Sequence, residues 1–137
     1  MIIGQDEIQL MNALASVSGV NAKDCFVKDN IISFLVKGSD IGRAIGKNAS
    51  NVKNLSAKLR KRVEIFEYCE KPEDFLHKAL YNSEMEKTEL KEVDGKKIFF
   101  ATVDSENRSK ILSNTARLKR IKEIAKRNYG IDDVRIR

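Results

Sequence analysis

Gly42-Arg43-Ala44-Ile45-Gly46-Lys47 is the stretch of this sequence whose residue types could hold a phosphate. Two glycines and a lysine invite comparison with the phosphate loop of nucleotide hydrolases, whose backbone N–H groups cradle the anion. That loop needs four residues between its glycines, and a Ser or Thr after the lysine to reach magnesium. Here three residues intervene and Asn48 follows Lys47, so nucleotide hydrolysis is disfavoured. What remains is simpler chemistry. A glycine without Cβ lets a phosphodiester approach the backbone, and the helix start that follows offers N–H groups to an anion. Lys47 and Asn48 add a cation and a hydrogen-bonding amide.

Other chemistry finds little material. Cys25 and Cys69 lie far apart and lack metal-ligand spacing, so they read as free thiols in a reducing compartment. His77 is the single histidine, and no Ser/His/Asp or Cys/His set accompanies it. We therefore expect no enzyme, no catalytic residue, no metal, no cofactor and no small-molecule substrate. No apolar run approaches the roughly 20 residues of a membrane span, and the N-terminus lacks a secretory pattern, so a cytoplasmic protein without a membrane partner is expected. The chain of 137 residues carries 26 Lys+Arg against 20 Asp+Glu, and this excess is concentrated. No acidic residue falls between Asp40 and Glu64, a window holding Lys47, Lys53, Lys58 and Arg60-Lys61-Arg62. A second acid-free window, between Glu106 and Glu123, holds Arg108, Lys110, Arg117, Lys119, Arg120 and Lys122. Two such windows point to a polyanionic partner.

The windows lie 66 residues apart, and more than charge follows that shift. It sets Ile45 on Ile111, Val52 on Leu118, Leu55 on Ile121, Lys53 on Lys119 and Phe34 on Phe100. Apolar spacing predicts a helix over 5–17 ending at Gly19, then strands at 25–27 and 31–37 around Asp29-Asn30. A short helix near 40–45, the Gly46 turn, a helix near 49–61 and a strand near 62–68 complete the first copy. The second copy reads as a helix near 73–81, strands near 86–93 and 97–103 around Asp94-Gly95, helices near 105–111 and 116–128, and a strand near 132–136. Both follow the order α-β-β-α-α-β. Pro72, the only proline, stands at a favoured helix-start position and marks the boundary, giving expected domains of 1–70 and 71–137.

Ile41-Gly42-Arg43-Ala44-Ile45-Gly46-Lys47-Asn48-Ala49-Ser50-Asn51-Val52 closely resembles the signature of KH domains, in which a Gly-x-x-Gly turn joins two helices. Helix first and strand last matches the type II (prokaryotic) arrangement. The resemblance implies an α+β fold of two tandem type II KH domains, each with a three-stranded sheet packed by helices. The linkerless pair, over essentially the whole chain, is similar to the archaeal NusA-like family of transcription termination and antitermination factors. That likeness implies single-stranded RNA as partner, with RNA polymerase as a further one. It assigns the clamp to Gly46, Lys47, Asn48 and Ala49. Ile41, Ile45, Val52 and Phe34 would support an apolar groove whose other wall the second strand (Ile32, Phe34, Val36) forms or supports, with Arg43 beside it and Lys53 adding a phosphate contact. Aromatic residues form 7% of the chain and no aromatic platform is evident, so stacking should contribute less than groove and backbone.

Two departures stand out. The fourth turn position is Ala49, acceptable where φ is helical because alanine adds one methyl and favours helix. The second turn, Leu112-Ser113-Asn114-Thr115, has lost both glycines. Either it makes looser phosphate contacts through Asn114, Arg117, Lys119 and Arg120, or its copy is mainly a packing partner. The degenerate turn also favours an alternative reading of the chain as a protein-interaction adaptor, docking RNA polymerase or the ribosome with residual RNA binding.

Overall fold

The computed structural model describes residues 5–80 and 84–137. The chain forms α1 (Gln5–Ser18), β1 (Asp24–Lys28), β2 (Ile31–Lys37), α2 (Ile41–Ile45), α3 (Ser50–Leu59) and β3 (Arg62–Tyr68). It then forms α4 (Pro72–Ala79), β4 (Lys87–Val93), β5 (Lys96–Thr102), α5 (Ser105–Leu112), α6 (Thr115–Tyr129) and β6 (Asp133–Ile136). Tyr81, the expected last residue of the fourth helix, lies outside the described residues. The contacts of the chain gather into one compact unit that ends at Cys69 and another running from Glu70 to Arg137.

In the first unit, β1 and β2 form an antiparallel hairpin, and β3 joins β2 in parallel at the edge. Asp29 and Asn30 turn the hairpin with φ of 53° and 62°. Two left-handed residues match the twist of the paired strands, and Asp and Asn tolerate that conformation better than most. Gly19 closes α1 by donating to the Ala15 carbonyl at 2.7 Å. Leu14 from α1, Leu55 from α3 and Ile32, Phe34 and Val36 from β2 meet in one fully buried core.

The second unit repeats the strand order β4-β5-β6, again antiparallel and then parallel. Its strand faces differ from expectation. The shift of 66 sets Phe34 on Phe100, but Phe99 is the buried residue, paired with buried Val134, while Phe100 pairs with exposed Arg135. Alternate strand residues face opposite ways, so a single-residue slip exchanges the two faces. The helices keep the shift, with Leu55 and Ile121 both buried; the central strands are offset by one residue.

Candidate nucleic-acid interface

Between α2 and α3 the chain reverses within a few residues. Gly46 ends α2 by donating to the Gly42 carbonyl at 2.9 Å, and adopts φ 79° and ψ 167°. That region is essentially reserved for glycine. A Cβ there would also stand 2.8 Å from Ser50 Oγ and 2.9 Å from the Asn51 nitrogen. The Ala49 N–H returns to the Gly46 carbonyl at 3.1 Å, and the Ser50 N–H bonds the Lys47 carbonyl. Asn48 has φ 56° and Ala49 φ 59°, so the chain enters α3 through two left-handed residues.

Ala49 therefore departs from the expectation of a helical φ. A left-handed alanine brings its Cβ against the following carbonyl, at about 1–2 kcal/mol. It also has no side-chain acceptor, and α3 starts without a side-chain cap. The positive end of the helix dipole thus lies beside exposed Lys47 and Asn48. Asn51, which the sequence reading missed, donates its side-chain amide to the Arg43 carbonyl at 2.8 Å and ties the start of α3 to the end of α2. Its signal was an asparagine in the first turn of a helix, a residue type prone to backbone partners. Arg43 is itself exposed and paired with Asp40 at 3.1 Å.

An open groove of about 460 Å³ is lined by Val52, Lys53, Ser56 and Ala57 of α3 and by Arg62 and Val63 of β3. Val52 and Lys53 were expected there. Phe34 was too, and this is corrected: it is 0% exposed, and its strand does not form the other wall. β2 is the middle strand and its helix-facing side chains are spent in the core, whereas β3 lies at the edge where a ligand can reach. Ile41 packs against the core and Ile45 is half-buried; neither lines the groove. Arg62 and Val63 could have been found from the basic run leading straight into a strand. The far end of α3 also closes through a left-handed non-glycine, Arg60 at φ 55°, and Ser56 Oγ donates to the Lys61 carbonyl at 2.6 Å.

The corresponding turn in the second unit is built differently. Ser113 has φ −72° and Asn114 φ −123°, and Asn114 Oδ1 accepts the Arg117 N–H at 3.1 Å as an N-cap. Ser113 Oγ donates to the Lys110 carbonyl at 2.7 Å. Of the expected secondary contacts, Arg120 is corrected: at 3% exposure it belongs to the interior and cannot meet a phosphate. Arg117 donates to the Ala79 carbonyl at the end of α4, and Lys119 stays exposed. Among the described residues no cluster of His, Cys, Asp or Glu could hold a metal, and no helix is long and apolar enough to cross a membrane.

Residues 9–99 match the sequence model of the KH domain, which covers the first unit from α1 and continues into β5. The chain is 27% identical over 135 residues to the "Probable transcription termination protein NusA" of Methanococcus vannielii, covering 98% of this chain and 78% of that protein. Its identity to the protein of the same name from Methanocaldococcus jannaschii is 26% over 132 residues, 96% of this chain and 72% of that one. Among solved structures, the crystal structure of APE1850 superposes with a TM-score of 0.90 at 27% identity, covering 98% of this chain and all of that one.

Proposed function

This chain belongs to the KH domain family as a NusA-like member, and from that premise we propose that it binds single-stranded RNA in the groove between α3 and β3. The observations that carry the reading are the uncapped start of α3, reached through the Gly46 turn, and the groove lined by Val52 and Lys53 of the same helix. Phosphates approach at Gly46, where no side chain intervenes, with Lys47 as the cation and Asn48 as the amide. Bases lie along Val52, Ala57 and Val63, while Lys53 and Arg62 hold phosphates at either wall. A KH groove of this kind takes about four nucleotides.

The repeated element order, strand order and mixed pairing support reading 1–70 and 71–137 as tandem type II KH domains. The names of the relatives support a role in transcription termination, and our reading extends it to antitermination, with RNA polymerase as a protein partner. A cytoplasmic location follows from that role. The capped α6 start favours a division of labour in which the second domain holds or recruits, the limiting case being an adaptor that docks polymerase or ribosome.

Lys47→Asp with Asn48→Asp tests the clamp, because it puts two negative charges beside the phosphate on an exposed turn. Single-stranded RNA binding should weaken, and its salt dependence should flatten by about 0.7 per lost phosphate contact. A doubly substituted chain that binds RNA like the unaltered one removes the clamp. Pull-down from lysate with and without ribonuclease separates the adaptor, whose partners survive the nuclease.

A further inference from the structure

Phe100 has no role in the α3–β3 groove, and the one-residue strand offset turns it away from the core side of its sheet. It is surrounded by cations. The Arg137 guanidinium lies 4.1 Å from the ring centre, the Lys91 ammonium 5.7 Å and the Arg135 guanidinium 5.9 Å. Glu89 stands directly opposite Phe100 on β4, and Arg135 opposite it on β6, so the group spans all three strands. Glu89 meets Lys87 at 2.9 Å, Lys91 at 3.2 Å and Arg137 at 3.7 Å. Hydrogen bonds from Lys87 and Lys91 hold its carboxyl below the usual range. Asp133 is shared between Lys122 at 3.2 Å and Arg135 at 3.4 Å.

The charges do not balance. Glu89 is divided among three cations and Asp133 between two, which leaves positive charge over on this face. The side chains of Lys87, Lys91, Arg135 and Arg137 are between 45% and 65% exposed. A ring beneath guanidinium groups keeps them in place by cation–π attraction. Guanidinium planes in turn accept a stacked base on one face and grip phosphate oxygens in pairs at the edge. An acidic peptide without aromatic residues supplies the charge but nothing to stack.

We propose that the face of the second sheet around Phe100, Arg135 and Arg137 is a second binding platform for single-stranded RNA, separate from the α3–β3 groove. The arginines take phosphate and base together, Lys91 adds charge, and Glu89 is the internal competitor that the RNA displaces. The platform is independent of the α6 helix start, where Asn114 Oδ1 accepts the Arg117 N–H.

The test uses the full chain carrying Lys47→Asp and Asn48→Asp, so that the groove no longer reports, and a labelled single-stranded RNA of mixed sequence at two salt concentrations. Binding should persist in that background. Adding Arg135→Ala with Arg137→Ala should weaken it by about tenfold, the scale of one stacked base, and flatten the salt slope by about 0.7 per lost contact. Arg135→Lys with Arg137→Lys should restore the slope but not the full affinity, because an ammonium does not stack. Glu89→Gln should tighten binding, and it decides the matter alone if the double alanine variant does not fold. The platform is overturned if the groove-disabled chain binds no RNA at low salt, or if the folded double alanine variant or Glu89→Gln binds as that background does. Equal weakening toward poly-glutamate overturns it in favour of an acidic-peptide surface. None of these failures touches the groove, which the clamp substitution tests in an otherwise unaltered chain.

Discussion

At the start of α3 the chain passes through Gly46, Asn48 and Ala49 with positive φ and reaches the helix without a side-chain cap. At the start of α6, Asn114 accepts the Arg117 N–H and no residue of the turn is left-handed. The second arrangement is the more stable local structure, since an asparagine N-cap contributes about 1 kcal/mol and engages a donor that an anion would otherwise seek. The first gives up that stability. It keeps a left-handed alanine and an uncapped dipole beside Lys47 and Asn48, at the head of the helix that lines the open groove. Strain of this kind gathers where structure serves a ligand. The contrast teaches that loss of glycines in the second turn did more than add side chains. It exchanged a turn that exposes a helix start for one that closes it.

The strongest way to break this comparison is Gly46→Ala. Its Cβ would meet Ser50 and the Asn51 backbone under 3 Å while φ stays positive, so urea unfolding should show a loss of about 2 kcal/mol together with weakened RNA binding in the groove. An unchanged midpoint would remove the requirement for glycine. Asn114→Ala should cost about 1 kcal/mol by the same measurement and leave RNA affinity in the groove untouched. If stability does not change, the cap is not what closes α6. Ala49→Gly should act in the opposite direction, relieving the left-handed alanine and raising stability by about 0.5 kcal/mol, after the added freedom of glycine in the unfolded chain. A destabilised Ala49→Gly chain would show that this residue is not strained.

The smallest effect is a pH dependence. Burial pushes the Asp133 carboxyl upward, but the Lys122 hydrogen bond and charge, the Val134 N–H and Arg135 outweigh it, leaving the group below its ordinary value. A carboxyl depressed in the folded state stabilises fully above its unfolded value of about 3.9 and loses that contribution as pH falls through the folded value. The site is largely solvated, so only a few tenths of a kcal/mol are expected. Asp133→Asn should remove this acid-limb dependence of the melting temperature; a variant titrating like the unaltered protein would assign the dependence elsewhere.

Much of the chain was legible without coordinates. The strand over Arg62–Tyr68 and the hairpin turns at Asp29-Asn30 and Asp94-Gly95 stand where the pattern put them, because β-branched runs and turn residues act locally. The candidate site was legible in part. Val52 and Lys53, which the resemblance to KH domains put beside a groove, do line one, and Arg62 and Val63, which also line it, were not foreseen. The groove's second wall depends on which strand stands at the sheet edge, a matter of pairing order that no local pattern carries. Arg120 failed for a related reason: a basic residue in a basic run looks exposed until helix packing shows which way it faces.

By itself the sequence determined the repeated α-β-β-α-α-β order, the glycine turn and the concentration of positive charge, since hydrophobic period, backbone permissiveness and composition are properties of neighbours along the chain. Tertiary structure alone decided the rest. It set the left-handed φ of Ala49, the retreat of Phe34 and Arg120 into the interior, and the one-residue offset that buries Phe99 and turns Phe100 toward the arginines. Strand side chains alternate, so the face a residue takes is fixed by its partner across the sheet and by the helix packed above it.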